Sequence, residues 1–347
     1  MRLPNPRGDI SEALFNHIHA GPGRTQDLNI RIGSPDRALA DEDLQIALWS
    51  LYELHYRSFD DIDDNWEWDP RLLAARAKLE EAFEAALRET VLQQLAKQPI
   101  DVRSLVEPGG DFAARFFDLV ADFEAPDVAK WVQSHASRNQ ILDFLIGRSI
   151  YSLKEADPHT WVIPRIAGAA KSALVELQFD EYGGGRVGRT HAELYETTMR
   201  EAGLDPTYGA YVDDVGAATL AANNVLSLFG LHRRHRGTAM GHLAAFEATS
   251  SLPSRRYAAG LRRTGFSDLT AEYFDEHVEA DAVHEQLAVR AICARLIKEE
   301  PKLENDIMFG ALSCLVLDAR IAAEIVPDTC DRAVAPPSLR LVENVNA

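Results

Sequence analysis

His277, Asp281 and His284 read His-x3-Asp-x2-His within FDEHVEADAVHEQLAVRAICARLI, a stretch of helical periodicity with no Gly or Pro. An α-helix advances about 100° per residue, so Asp281 lies about 40° from His277 and His284 about 20° to the other side. All three side chains then leave one face. Two imidazoles and a carboxylate converging in this way suit a borderline divalent metal, iron foremost. A solvated helix face, or a buried His–Asp hydrogen bond without metal, fits the same spacing. Against the solvated face, Phe274, Val278, Leu287, Ala288 and Ala291 flank the stripe rather than oppose it. One helix cannot saturate an iron ion, so further ligands must arrive from elsewhere.

Two other places offer them. Between Glu181, closing one helical run, and His191, opening the next, lies the Gly-rich break YGGGRVGRT. Glycine accepts positive φ, so a tight reversal there would aim both side chains at one point. An ordinary helix terminus is the competing reading. Glu247 in GHLAAFEATSS sits beside Leu243, Ala244 and Phe246, and Glu is rarely buried unless paired. The polar side of an amphipathic helix is its alternative. His242 reads as a supporting or structural residue, not a ligand. Glu181, Glu247 and Asp281 with His191, His277 and His284 make an inventory that suits a dinuclear iron centre. Ferritin-like bundles use duplicated Glu-x-x-His pairs, and none is present here.

The elements that must position these residues are helical, and no convincing alternating strand is present. Helices are expected at about 41–58, 69–97, 110–122, 126–135, 137–155, 160–181, 190–202, 207–230, 234–250, 254–264, 268–299 and 303–326. Residues 1–38, rich in Pro, Gly and Arg, read as an extended arm. The expected organisation is an N-terminal arm and helical extension over 1–135, a core over 136–326 and a loosely ordered tail over 327–347, within one all-α domain.

Composition narrows the function. The net charge is −18, which argues against nucleic acid and anionic membranes as partners. No apolar run approaches the ~20 residues that span a bilayer, and MRLPNPRGD lacks a signal-peptide core. Cys293, Cys314 and Cys330 are few and scattered, which fits a reducing cytoplasm and neither a disulfide framework nor a zinc knuckle. Glu53 and His55 point about 160° apart on a helix and cannot share a metal. Gly183–Gly188 lacks the Gly-Lys-Ser/Thr ending of a phosphate loop. The basic clusters at His232–Arg236 and Arg255–Arg263 read as solvated turns.

The sequence resembles the haem-oxygenase-like di-iron oxidase and oxygenase superfamily, in the group of iron-containing redox enzymes. SLKEADPHTWVIPRIAGAAKSALVELQFDEYGGGRVGRTHAELY, GHLAAFEATSS and EHVEADAVHE carry the resemblance, which covers roughly residues 140–300. It implies a haem-oxygenase-like seven-helix core with an N-terminal helical extension, binding two Fe(II) where relatives bind haem. Matched residue by residue, Glu181 and His191 supply the first ligands and Glu247 the second. His277, Asp281 and His284 supply the third set. Glu181, Glu247 and Asp281 are also the carboxylates expected to serve catalysis. The nine residues between Glu181 and His191 look most like the N-oxygenating branch. Some of its members carry an extra carboxylate upstream, for which Glu155 is the match; a helix-terminal surface Glu is the alternative. The resemblance implies O2 as co-substrate, an external reductant or electron-donor partner, and a small amine or amino-acid-like substrate in a biosynthetic pathway. Desaturation or C–C cleavage of an amino or fatty acid on the same site is the alternative, as is a metal-free helical binding protein. The oligomeric state stays open, a homodimer being compatible with an acidic helical chain.

Overall fold

In the computed structural model, the described residues are 1–21, 28–100 and 110–327, with the side chains of Glu279, Asp281 and Ala282 excepted. Among them every regular element is helical. The expected tail, and Cys330 with it, lies almost wholly outside the described residues.

The longer helices are α1 Asp9–His19, α2 Glu42–Glu53, α3 Pro70–Leu95, α4 Phe112–Asp122, α5 Val128–Ser134, α6 Arg138–Ser152, α7 Gly168–Glu181, α8 His191–Ala202, α9 Ala217–Leu231, α10 Arg236–Ala248, α11 Ser251–Arg263, α12 Asp268–Gln286 and α13 Glu304–Ile325, with short ones at Asp157–Thr160 and Ala294–Glu299. Their starts are written in the sequence. Asp69 accepts from the Arg71 and Leu72 amides ahead of Pro70, at 2.9 and 3.3 Å. Ser137 with Gln140, and Thr190 with Glu193, form reciprocal caps on α6 and α8. Each satisfies amides that a helix start would otherwise leave bare.

Three expectations need correction. The arm over 1–38 is not simply extended, because Ile10, Leu14, Phe15 and Ile18 make α1 amphipathic and bury one face. Its leading residues are also tied down: Arg7 donates to the carbonyls of Val215 at 2.8 Å and Val212 at 2.7 Å. The helices expected from 160 and 207 begin at Gly168 and Ala217, after short turns. The expected helix 268–299 is interrupted by a π-helical segment, Leu287–Cys293, that packs on α7 and α10.

The basic clusters are largely exposed, as expected, but several of their charges also reach other helices. His232 and Arg234 meet Glu80 and Glu84 of α3 at 2.9 and 2.7 Å. Arg236 is buried against Glu300. Arg263 donates to the carbonyls of Gln133, Val132 and Ala136. These charges fasten helices together, which isolated sequence windows cannot reveal.

Buried apolar side chains form two clusters. One joins α1–α4 of the extension to α7, α9, α10, the π segment and α13. The other joins α5, α6, α8, α11 and α12. At the centre, α10 and α13 touch backbone to backbone. A Cβ on Gly241 would sit 1.8 Å from the Ile307 carbonyl oxygen, and one on Gly310 would sit 1.9 Å from that of Thr238. Glycine is therefore required at both positions. Gly241→Ala should cost about 3 kcal/mol or more through overpacking, read as a lower urea midpoint. An unchanged midpoint would mean that the two helices do not approach this closely.

Candidate metal centre

Five elements converge on one buried point. Glu181 is the last residue of α7 and His191 the first of α8. The reversal between them depends on Gly183, whose φ is +67° and whose Cβ would lie 2.4 Å from the Arg189 backbone. Thr190 and Glu193 then cap α8, so His191 enters the helix at a fixed angle. Glu247 comes from α10, and His277 and His284 from α12. Glu155 comes from the turn after α6, beside Ala156 with its left-handed φ of 73°. All six side chains are buried. Asp281 lies on α12, but its side chain is outside the described residues.

The donors fall into two groups of three, Glu155–His191–His277 and Glu181–Glu247–His284. Within each group the ligand-type atoms lie within 4.8 Å of one another. Glu181 spans the two. Its Oε1 is 3.3 Å from His284 Nδ1 and its Oε2 is 3.0 Å from His191 Nδ1. Glu247 Oε2 is 3.6 Å from His284 Nδ1, and Glu155 Oε1 is 3.5 Å from His277 Nε2. The rings of His191 and His277 stand 4.3 Å apart.

Neighbouring groups set the direction of these donors. His277 Nδ1 donates to the Tyr273 carbonyl at 2.6 Å, which turns Nε2 toward Glu155. Tyr273 also donates its hydroxyl to Glu155 Oε2 at 2.7 Å. His284 Nε2 meets Asp180 Oδ2 at 3.4 Å, leaving Nδ1 toward Glu181 and Glu247. A second hydrogen bond of this kind fixes the tautomer of a ligating imidazole.

The electrostatics are those of a site that wants cations. Burial opposes a charge on His284, but contact with Glu181 and Glu247 outweighs it and pushes its pKa up to about 11. Burial likewise opposes a charge on His191, and Glu181 overrides it to give about 9. Burial raises Glu247. In Glu181 burial pulls upward too, yet His191 and His284 hold the carboxyl well below its usual range. Protons on imidazoles thus take the place of positive charge among buried carboxylates. His191 Nδ1 lies 3.0 Å from Glu181 Oε2, and the contact between them holds a proton there. A metal ion that displaces such protons meets nitrogen and oxygen lone pairs already facing each other across a short gap.

A cavity of about 10 Å³ sits against Glu155, Glu181, Glu247 and His277, room for about one water. It is closed by Tyr151, Leu177, Leu243, Phe246 and His159. Sequence reasoning missed His159. Burial drives its pKa down to about 4, so it faces the donors as a neutral ring. His242 is also buried, lowered to about 3 mainly by burial, and stands outside both donor groups. The His159 segment, EADPHTW, carries no spacing that marks a site. Glu53 and His55 indeed go separate ways. Glu53 pairs with buried Lys154, and His55 meets Glu67 at 3.3 Å.

An all-helical protein that gathers carboxylates and imidazoles face to face in its interior has the donor set of non-haem iron proteins that carry out redox chemistry. Residues 142–319 match the iron-containing redox enzyme family, and the chain belongs to it. It is therefore an oxidoreductase of haem-oxygenase-like fold. No curated protein matches the chain. No helix among the described residues is long and apolar enough to cross a membrane.

Proposed function

We propose that the chain is a non-haem di-iron oxygenase that transfers oxygen to the nitrogen of a small amine. The observation that carries this is Glu181, with one carboxylate oxygen turned to each of two three-donor groups. Glu155, His191 and His277 would hold one Fe(II), and Glu247 and His284 the other, with Glu181 between them. Asp281 completes the expected set.

When bound, the two Fe(II) ions would supply electrons for reducing O2, and an external reductant would restore them. The chain's own side chains do the rest. Tyr273 and Asp180 hold His277 and His284 in orientation. Leu177, Leu243, Phe246 and Tyr151 keep bulk water from the small cavity, which strengthens every charge interaction inside it. An electrophilic oxidant needs a neutral amine lone pair, and a desolvated pocket or a carboxylate base favours that form.

Support for nitrogen as the acceptor comes from Glu155. This additional carboxylate resembles the one some N-oxygenating relatives carry, and it is buried among the donors rather than exposed at a helix end. The balance is one amine, one O2, two electrons and two protons giving a hydroxylamine and water. The test is turnover of an amine panel by Fe(II)-loaded protein with reductant and isotopically labelled O2. Label on the product nitrogen is expected. Loss of hydrogen or of a carbon fragment without label would point to desaturation or C–C cleavage instead.

A further inference from the structure

A second and far larger cavity, about 900 Å³, opens beside the metal centre, a size typical of small-molecule sites. Tyr151 and Phe246 line both cavities. Their rings meet edge to face at 5.2 Å, so the pair marks where the two cavities adjoin.

Arg148 of α6 stands in this larger cavity. Its guanidinium lies over Phe144 and Tyr257, at 5.7 and 5.6 Å from their ring centres. Aromatic faces attract the cation but accept nothing along its edge. The Arg148 Nε is buried without a hydrogen-bond partner, and no ion pair engages the side chain among the described residues. Its planar donor fork is thus open to a ligand, and a carboxylate has the matching shape.

Asp318 of α13 lines the same cavity. Arg148 is near enough to act on its ionisation, yet the two are not within ion-pair distance of each other. The partner found for the Asp318 carboxylate is Cys314 Sγ at 3.7 Å. Asp143, Asp214 and Glu324 line the cavity as well, which disfavours a simple fatty anion and favours a ligand that also carries positive charge.

We propose that this cavity seats the head group of an α-amino acid, its carboxylate on Arg148 and its ammonium on Asp318. Opposite charges that share a cavity without closing on each other are satisfied together by a ligand bearing both. Arg148 precedes Glu155 by seven residues, across the last turn of α6 and the turn that follows it. The ligand's side chain therefore runs past Tyr151 and Phe246 toward the donors, where its far end is the atom to be oxidised. That last step rests on the oxygenase reading; seating of the head group does not.

Calorimetric titration of the full chain, both Fe(II)-loaded under anaerobic conditions and metal-free, separates the two. The probes are L-ornithine and L-lysine, with ε-aminocaproate (no α-amine) and cadaverine (no carboxylate) as counterparts of lysine. At least one of the two amino acids should bind about tenfold or more tighter than either counterpart. Arg148→Gln and Asp318→Asn should each lose that advantage. Arg148→Gln should leave cadaverine binding unchanged, and Asp318→Asn should leave ε-aminocaproate binding unchanged, which a merely unfolded variant could not do. Equal binding of all probes, binding by neither amino acid, or full amino-acid affinity in both variants would overturn the proposal. Normal iron uptake with no head-group binding sinks this subsite alone. Head-group binding without iron uptake sinks the oxygenase reading alone.

Discussion

Glu181→Gln should lower bound iron from about two per chain to less than one, while the far-ultraviolet circular dichroism of the helices stays unchanged. Among the described side chains, Glu181 is the carboxylate in contact with an imidazole of each donor group. Glutamine keeps the shape but removes the negative charge and replaces one anionic oxygen by an amide nitrogen that cannot ligate. Both proposed metal positions are affected at once, unlike the effect expected at Glu247, which meets His284 of its own donor group. The measurement is iron content by emission spectrometry after anaerobic loading and desalting. Wild-type iron content in the variant would show that Glu181 is a structural acid paired with histidines and nothing more.

The second large effect is on stability. Lys154 and Glu53 form an ion pair with both side chains almost fully enclosed, and Tyr208 donates to the other Glu53 oxygen at 2.6 Å. Removing one member of such a pair strands its partner's charge, at about 3–5 kcal/mol. Lys154→Met should therefore destabilise the chain by that amount in urea unfolding. Removing both charges together, with Glu53→Leu and Tyr208→Phe added to Lys154→Met, should recover most of the loss, because well-packed apolar groups replace buried ion pairs at little cost. If the triple variant is no more stable than the single one, the loss comes from packing and not from a stranded charge. The pair joins the N-terminal extension to the turn that carries Glu155, so Lys154→Met should also weaken iron retention. The extension is in this sense part of the site's frame, although the family match begins only at residue 142.

Much of this was legible beforehand, and the reasons are local. Helix starts such as Asp69-Pro70 and Thr190-x-x-Glu193 announce themselves through capping chemistry. His277 and His284 declare a shared face by their spacing alone. The Gly-rich break fixes where Glu181 and His191 turn back on each other, because Gly183 needs positive φ and leaves no room for a Cβ. What the sequence hid is non-local. His159 reaches the centre through a short turn with no periodicity, and the pairing of Glu181 with one imidazole on each side depends on three helices packing together. Arg236 looks solvated until Glu300 arrives to pair with it in a buried position, and exposed Arg234 and Arg263 also find partners on distant helices. Arg148 and Asp318 sit on helices far apart in the chain, so no window holds both.

The most direct test of the account is the position of iron in crystals of the Fe(II)-loaded protein, located by anomalous diffraction at the iron edge. Two peaks about 3.5–4 Å apart are expected, one bounded by Glu155, His191 and His277, the other by Glu247 and His284, with Glu181 reaching both. A single peak, or iron bound away from these six residues, would contradict it.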